Sequence, residues 1–310
     1  MTRKLSQQFM LNLQEGMLSP FLKQCKECLT LDLEIRENAV NIYYRGGNLI
    51  KIKELNATKY EIYFDKNYLV HNKELVEGLS KIITNEEIVQ KWINLIPQLK
   101  HEMDLWFTKH PKDEREFQQL LVRENNLNQA TDYFICDIEY TDIGARFDAI
   151  AFEWESDGCS RRFFKGYKPK LIFIEKKYGD GALKGSASID KHIRDMESFL
   201  SDDSRLQNIK EEMIESFKQK RDLGLIKSLD KNPNHITEVS DEKPDFVFIL
   251  ANHDPDSSKL NQVLSKLKPM KHANLKFAVA NFMGYGLYKQ NLFSIEEFRK
   301  NFSNQIFSKN

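Results

Sequence analysis

The sequence predicts an α/β fold: a mixed β-sheet flanked by helices, preceded by an N-terminal antiparallel β meander with helices of its own. Three observations carry this. Short runs rich in Ile, Val and Tyr, separated by turn residues, crowd residues 31–65, which is the pattern of consecutive hairpins. Apolar residues then fall at helical spacing from about residue 86, marking a long amphipathic helix. From residue 113 to about 300 short apolar strands alternate with helical stretches, as in a sheet covered by helices.

Taken in order, a short helix is expected around residues 4–15. The runs LDLEIR, AVNIYYR, NLIKIKEL and KYEIYFD follow as three or four antiparallel strands. Their turns are Glu37-Asn38, Arg45-Gly46-Gly47-Asn48 and Asn56-Ala57-Thr58, and Gly46-Gly47 suits a tight hairpin that needs positive φ. Ile88, Trp92, Ile93, Ile96 and Leu99 form one stripe, continued by Met103, Leu105 and Trp106, over a connecting helix of about 86–109. His110-Pro111 breaks it. A second helix opens at Asp113, with Glu116 three residues on as in a capping box, and an apolar face of Phe117, Leu120 and Leu121. Strands are expected at 133–140, 146–154, 170–176, 244–252 and 275–282, and helices at about 188–200, 204–221, 257–267 and 294–303. The chain therefore divides into an N-terminal α+β region, residues 1–100, and an α/β domain, residues 101–310.

Composition narrows the function classes. With 310 residues and 41% hydrophobic content the chain can bury one large core or two modest ones. Lys+Arg and Asp+Glu are equal at 46 each, so binding to nucleic acid would rest on a local basic surface. No run of about 18 apolar residues is present, which argues against a membrane helix. The N-terminus MTRKLSQQFMLNLQEGM has no apolar run of the secretory kind. Cys25 and Cys28 form a CxxC, but Cys136 and Cys159 are single and distant. Two thiols cannot close a tetrahedral zinc site, so the pair reads as thiols on an ordinary amphipathic segment. These features together indicate a reducing cytoplasm.

The chemistry concentrates in the middle of the α/β region. In IGARFDAIAF (143–152) Asp148 interrupts an apolar strand, and in KLIFIEKKYG (170–179) an apolar strand ends in Glu175-Lys176-Lys177. A carboxylate inside an apolar strand needs a partner, because burying it alone costs several kcal/mol. Two carboxylates on adjacent strands repel unless a cation lies between them, and a hard divalent metal with oxygen ligands relieves that conflict. The Lys176 carbonyl offers a third oxygen. Side chains alternate along a strand, so Glu175 and Lys177 share one face. An ammonium beside a metal site can position a water or stabilise developing phosphorane charge.

An Asp in a G-x-R-hydrophobic-Asp strand, followed by an apolar strand ending E-x-K, resembles the PD-(D/E)XK nuclease superfamily over about residues 113–200. The resemblance implies a restriction-endonuclease-like fold and Mg²⁺- or Mn²⁺-dependent phosphodiester hydrolysis, of DNA, in bacterial antiviral defence or DNA processing. It places Asp148, Glu175 and the Lys176 carbonyl as metal ligands and Lys177 as the catalytic lysine. EREFQQLL in the preceding helix is similar to the E-x-x-x-Q pattern of Shedu-like and Mrr-like members. That adds Glu114 and Gln118 to the catalytic set, with Glu116 and Glu124 as competing choices. In the helix after E-x-K, where many members carry Gln and Tyr, this chain has Lys191 and His192.

Between the motif strands, SRRFFKGYKPK interleaves basic and aromatic residues. Arg146, Arg161, Arg162, Lys165, Lys168 and Lys191 are the candidate phosphate contacts; the bland alternative is a solvated hairpin. The bland alternative for the motif itself pairs Asp148 with Arg146 or Arg161 and leaves Lys176-Lys177 as a solvated strand end. Two further readings stand beside the nuclease: a non-catalytic binding module on the same fold, and a subunit that forms homo-oligomers through its β meander.

Overall fold

A computed structural model describes residues 3–127, 130–142, 145–154, 156, 167–179, 183, 188–226, 236–251, 258–280 and 292–306. The chain is mixed α/β and separates into two compact units, Met1–Gln119 with Glu215–Asp230 and Leu120–Ile214 with Lys231–Asn310. Among the described residues no helix is long and apolar enough to cross a membrane.

The first unit begins with two helices, α1 (Gln7–Gln14) and α2 (Ser19–Glu27), where the sequence suggested one. The Ser6 hydroxyl caps α1 by accepting from Phe9 N at 3.0 Å, and a proline in the first turn starts α2. The meander follows as β1 (Leu31–Arg36), β2 (Ala39–Tyr44), β3 (Gly47–Asn56) and β4 (Lys59–Tyr63), with a two-residue edge strand β5 (Ile82–Ile83). Strand order is β1-β2-β3-β4-β5, with every pairing antiparallel. Alternate residues such as Val40, Ile42, Ile50, Ile52 and Ile62 face a core shared with Phe9, Leu13, Phe21 and the long helix α3 (Glu86–Lys109).

The β2–β3 turn shows how local chemistry sets the register. Tyr44 pairs with Gly47, so the loop is Arg45-Gly46, at φ 48° and 72°, one residue earlier than Gly46-Gly47. Both central residues at positive φ make a type I′ hairpin. A left-handed arginine costs about 1–2 kcal/mol. Here its guanidinium is held at 2.9 Å by both Asp104 and Glu116. Glu116 therefore serves as an arginine partner, where the sequence suggested a capping box.

Helix α4 (Asp113–Asn126) starts in the first unit and ends in the second. The Gln119 amide accepts from Gly46 N at 2.7 Å and donates to Thr30 O at 3.1 Å. Gln119 is the last residue of the first unit's N-terminal stretch. The chain also returns to the first unit late: Leu223 joins its core, and Lys220 meets the buried Glu34 at 2.9 Å.

The second unit contains β6 (Tyr133–Asp142), β7 (Ala145–Glu153), β8 (Leu171–Tyr178), α5 (Ile189–Leu200), α6 (Asp203–Asp222), β9 (Asp245–Ala251), α7 (Ser258–Leu264), β10 (Asn274–Ala280), β11 (Phe293–Ser294) and α8 (Ile295–Ile306). The late residues of α6 belong to the first unit. Sheet order is β11-β10-β9-β8-β7-β6. Strands β6, β7 and β8 run antiparallel, β8, β9 and β10 parallel, and β11 antiparallel to β10. Central β9 is buried along its whole length and β8 along all but its last residue, as strands covered on both faces require. Asp245, which opens β9, is fully buried between Lys170 at 2.5 Å and Lys276 at 2.6 Å. It is the centre of two buried ion pairs.

Candidate active site

The β7–β8 ladder ends at the pair Ala149–Ile174. The next residues on the two strands are Asp148 and Glu175, so both carboxylates stand where the strands part. Asp148 Oδ2 accepts the Lys176 N–H at 2.8 Å. The carboxylate thus takes a backbone donor at the ladder's end, which explains why an apolar strand tolerates an acid there. Asp148 itself is half-buried and Arg146 is exposed.

Glu175 and Lys177 are 5% and 3% exposed and bonded to each other, Lys177 Nζ donating to Glu175 Oε1 at 2.8 Å. Lys177 is therefore not a solvated strand end. A buried ammonium survives only with such a partner, since desolvation of an unpaired charge costs several kcal/mol. Lys176 points to the opposite face and is also buried, at 1% exposure.

Helix α5 supplies a third member. Ser188 caps it by accepting from Lys191 N at 3.3 Å. Its stripe of Ile189, Met196, Phe199 and Leu200 is buried. Phe199 lies edge-on to Phe173 of β8 with ring centroids 6.4 Å apart. Two turns earlier, His192 Nε2 reaches Glu175 Oε1 at 3.2 Å. Burial lowers the His192 pKa to about 4, helped by the charges of Lys177 and Lys191 and opposed by Asp195. Near neutral pH the imidazole is uncharged, and its Nε2–H can donate to the carboxylate. Glu175 is thus in contact with both an ammonium and an imidazole.

The sequence candidates in the preceding helix are distributed differently. Glu114 is exposed and Gln118 is 5% exposed, and both lie in the first unit. Glu116 is held by Arg45. Glu124, half-buried, is the member of that group in the same unit as Asp148. Among the phosphate candidates, Arg161, Arg162 and Lys165 lie outside the described residues. Lys168 is exposed and ion-paired with Glu238. Lys191 is exposed and pairs with Asp195 at 2.9 Å. His253 and Asp254 also lie outside the described residues.

One acid that the sequence reading passed over is Asp137 in β6, 1% exposed and paired across the ladder with Ile150, two residues from Asp148. The signal was available, because Asp137 interrupts the apolar run YFICDIEY as Asp148 interrupts its own strand. Two residues on, Glu139 adopts φ 52°, an uncommon left-handed state for a non-glycine residue.

Asp148, Glu175 and the Lys176 carbonyl match in type the oxygen donors that a hard divalent cation takes. Among the described residues, no group of three or more His, Cys, Asp or Glu side chains could hold a metal ion. A cation here would thus depend on the two carboxylates, the peptide carbonyl and solvent. In comparisons with known proteins, the chain matches no family model, no curated protein and no solved structure.

Proposed function

We propose that this chain is a metal-dependent nuclease with a restriction-endonuclease-like second unit, hydrolysing phosphodiester bonds of DNA. The observation that carries the reading is the buried Lys177–Glu175 contact at 2.8 Å beside Asp148, at the point where β7 and β8 separate. Few structural needs explain an acid and a lysine on a central strand with a helix histidine against them, because an apolar trio there would cost no desolvation.

Asp148, Glu175 and the Lys176 carbonyl would hold Mg²⁺ or Mn²⁺, which supplies Lewis acidity toward a phosphoryl oxygen and an acidified water. The chain's own residues do the positioning. The Lys176 N–H bond keeps the Asp148 carboxylate turned toward β8. Lys177, fixed on the same face as Glu175, presents an ammonium to the pentacoordinate phosphorus as negative charge builds. Neutral His192, at 3.2 Å from the Glu175 oxygen that Lys177 also meets, steadies that carboxylate without adding a competing positive charge. Exposed Arg146 and Lys191 are suited to phosphates flanking the scissile bond.

The test is cleavage of linear and circular, single- and double-stranded DNA with Mg²⁺ or Mn²⁺, comparing wild type with Glu175→Ala and Lys177→Ala. Metal-dependent cutting that both substitutions abolish supports the assignment. A wild type inert on every DNA and on structured RNA, with no metal binding by calorimetry, replaces it with a non-catalytic binding module on the same fold.

A further inference from the structure

The CxxC of the first unit is not part of the nuclease reading, and its surroundings separate its two thiols. Cys25 is in the last turn of α2 and is 8% exposed, packed in the core with Phe21 and Leu22. Cys28 is the residue that ends α2, in extended conformation (φ −105°, ψ 102°), and is only partly buried. Its sulfur lies 3.2 Å from the Thr30 hydroxyl and 3.8 Å from Lys100 Nζ. Lys100 Nζ also donates to Thr30 Oγ1 at 2.8 Å. That bond occupies one acceptor position on the hydroxyl, whose own proton is then available to the Cys28 sulfur. The ammonium is itself placed over the Tyr44 ring, 4.6 Å from the centroid. A cation and a hydroxyl donor thus converge on one reachable sulfur.

We propose that Cys28 and Cys25 form a redox-active dithiol, in which Cys28 reacts with hydroperoxides and Cys25 resolves the product as a disulfide. The electrostatics agree with the geometry. Burial disfavours the Cys28 thiolate, but the Thr30 hydroxyl and backbone N–H, with Lys100, outweigh it and set that thiol below its ordinary pKa. Burial pushes Cys25 far up, aided by the negative charges of Asp32 and Cys28. One sulfur is prepared to attack and the other stays protonated until needed.

The Cys28 thiolate attacks the distal oxygen of a hydroperoxide, forming an S–O bond as the O–O bond breaks. The departing oxygen takes a proton and leaves as an alcohol, or as water when the oxidant is hydrogen peroxide. The Cys25 sulfur then displaces the hydroxyl of the Cys28 sulfenic acid, and the Cys25 proton leaves with it as water. Residues three apart on a helix have β-carbons about 5–6 Å apart, and a disulfide needs about 3.5–4.5 Å. The remaining distance falls to Cys28, which ends the helix at φ −105° and ψ 102°, its N–H still donating to Gln24 O at 3.0 Å.

The experiment uses the full chain, with circular dichroism to confirm that each variant is folded. At pH 7 iodoacetamide should label Cys28 at least about 10-fold faster than Cys25 or Cys136. Lys100→Met and Thr30→Val should each slow Cys28 by several-fold. Trypsin cuts after Lys26, between the two cysteines. After one equivalent of hydrogen peroxide, a disulfide therefore shows as a cross-linked peptide pair. Cys25→Ala should instead stop at a Cys28 sulfenic acid trapped by dimedone. Equal labelling of Cys28 in wild type, Lys100→Met and Thr30→Val overturns the proposal. So does peroxide treatment that yields no Cys25–Cys28 cross-link.

Discussion

Removing Glu175 and Lys177 singly and together separates the energetic role of their contact from its chemical one. Both side chains are nearly excluded from water, 7% exposed for Glu175 and 3% for Lys177, so each compensates the other for lost hydration. Glu175→Gln strands the ammonium, and breaking a buried pair in this way costs about 3–5 kcal/mol. Lys177→Met leaves the Glu175 carboxylate with the His192 imidazole at 3.2 Å, so its cost falls toward the lower end, about 3 kcal/mol. The double variant buries an amide and a thioether with no stranded charge and should lie within about 1–2 kcal/mol of wild type. The coupling energy is then about 4 kcal/mol or more. Urea unfolding in the presence of a chelator measures all four proteins without metal. In the second unit 1 kcal/mol corresponds to about 2–4 °C in Tm, so each single variant should melt at least roughly 6 °C below wild type. Nuclease activity should be lost in all three variants, including the stable double one. Single variants within about 1 kcal/mol of wild type and additive in the double would show that the pair is solvated. The buried arrangement on which the site rests would then be refuted.

Other predictions follow from separate features. Asp148→Asn keeps an acceptor for the Lys176 N–H, so stability should change by no more than about 1 kcal/mol while Mg²⁺-dependent cleavage falls at least about 100-fold; an active Asp148→Asn removes Asp148 from the site. Glu102, 3% exposed, accepts from Val70 N, His71 N and Asn72 N at 2.6–3.0 Å. Burial raises its pKa, but the three N–H groups outweigh this and leave it below the ordinary value. A depressed carboxylate stabilises above its unfolded pKa, about 4.3, and that stabilisation is lost as pH falls through the folded value. Glu102→Gln should therefore cost about 2 kcal/mol at pH 7, with the difference from wild type closing below about pH 4; a gap independent of pH in urea titrations contradicts it. At Gly46, φ is 72° and an added Cβ would lie 2.3 Å from the Arg115 carbonyl carbon. Gly46→Ala should cost at least about 2 kcal/mol, and Gly78→Ala, with φ 76° and nothing within 4 Å, about 1 kcal/mol; equal melting temperatures for the two would contradict the close approach.

Local rules determined much of this molecule without help from tertiary contacts. The meander over residues 31–65 was legible because alternation and turn residues act within a few positions. Positive φ at the β2–β3 turn followed from Arg45-Gly46-Gly47, although the register assigned it to Arg45 and Gly46. Strands β6 to β10 and helices α5 to α8 matched apolar runs and periodicity closely, because each element's pattern is intrinsic to its own residues. Asp148, Glu175 and Lys177 were identifiable for the same reason, since charges inside apolar strands stand out locally.

What crossed the chain did not show in it. The sequence could not reveal that Glu116 answers Arg45, 71 residues away. Nor could it reveal that Gln119 ties the start of α4 to the first sheet. Residues 215–230 rejoin the first unit through Lys220 and Leu223, because their partners lie almost 200 positions earlier and leave no local pattern. At the site, tertiary structure ended the β7–β8 ladder beside Asp148 and buried Lys177 against Glu175. It also brought His192 from a later helix onto the same carboxylate and excluded the water that would have kept its imidazole basic. Residue type and spacing named the groups; packing, by removing solvent and choosing neighbours, decided which of them interact.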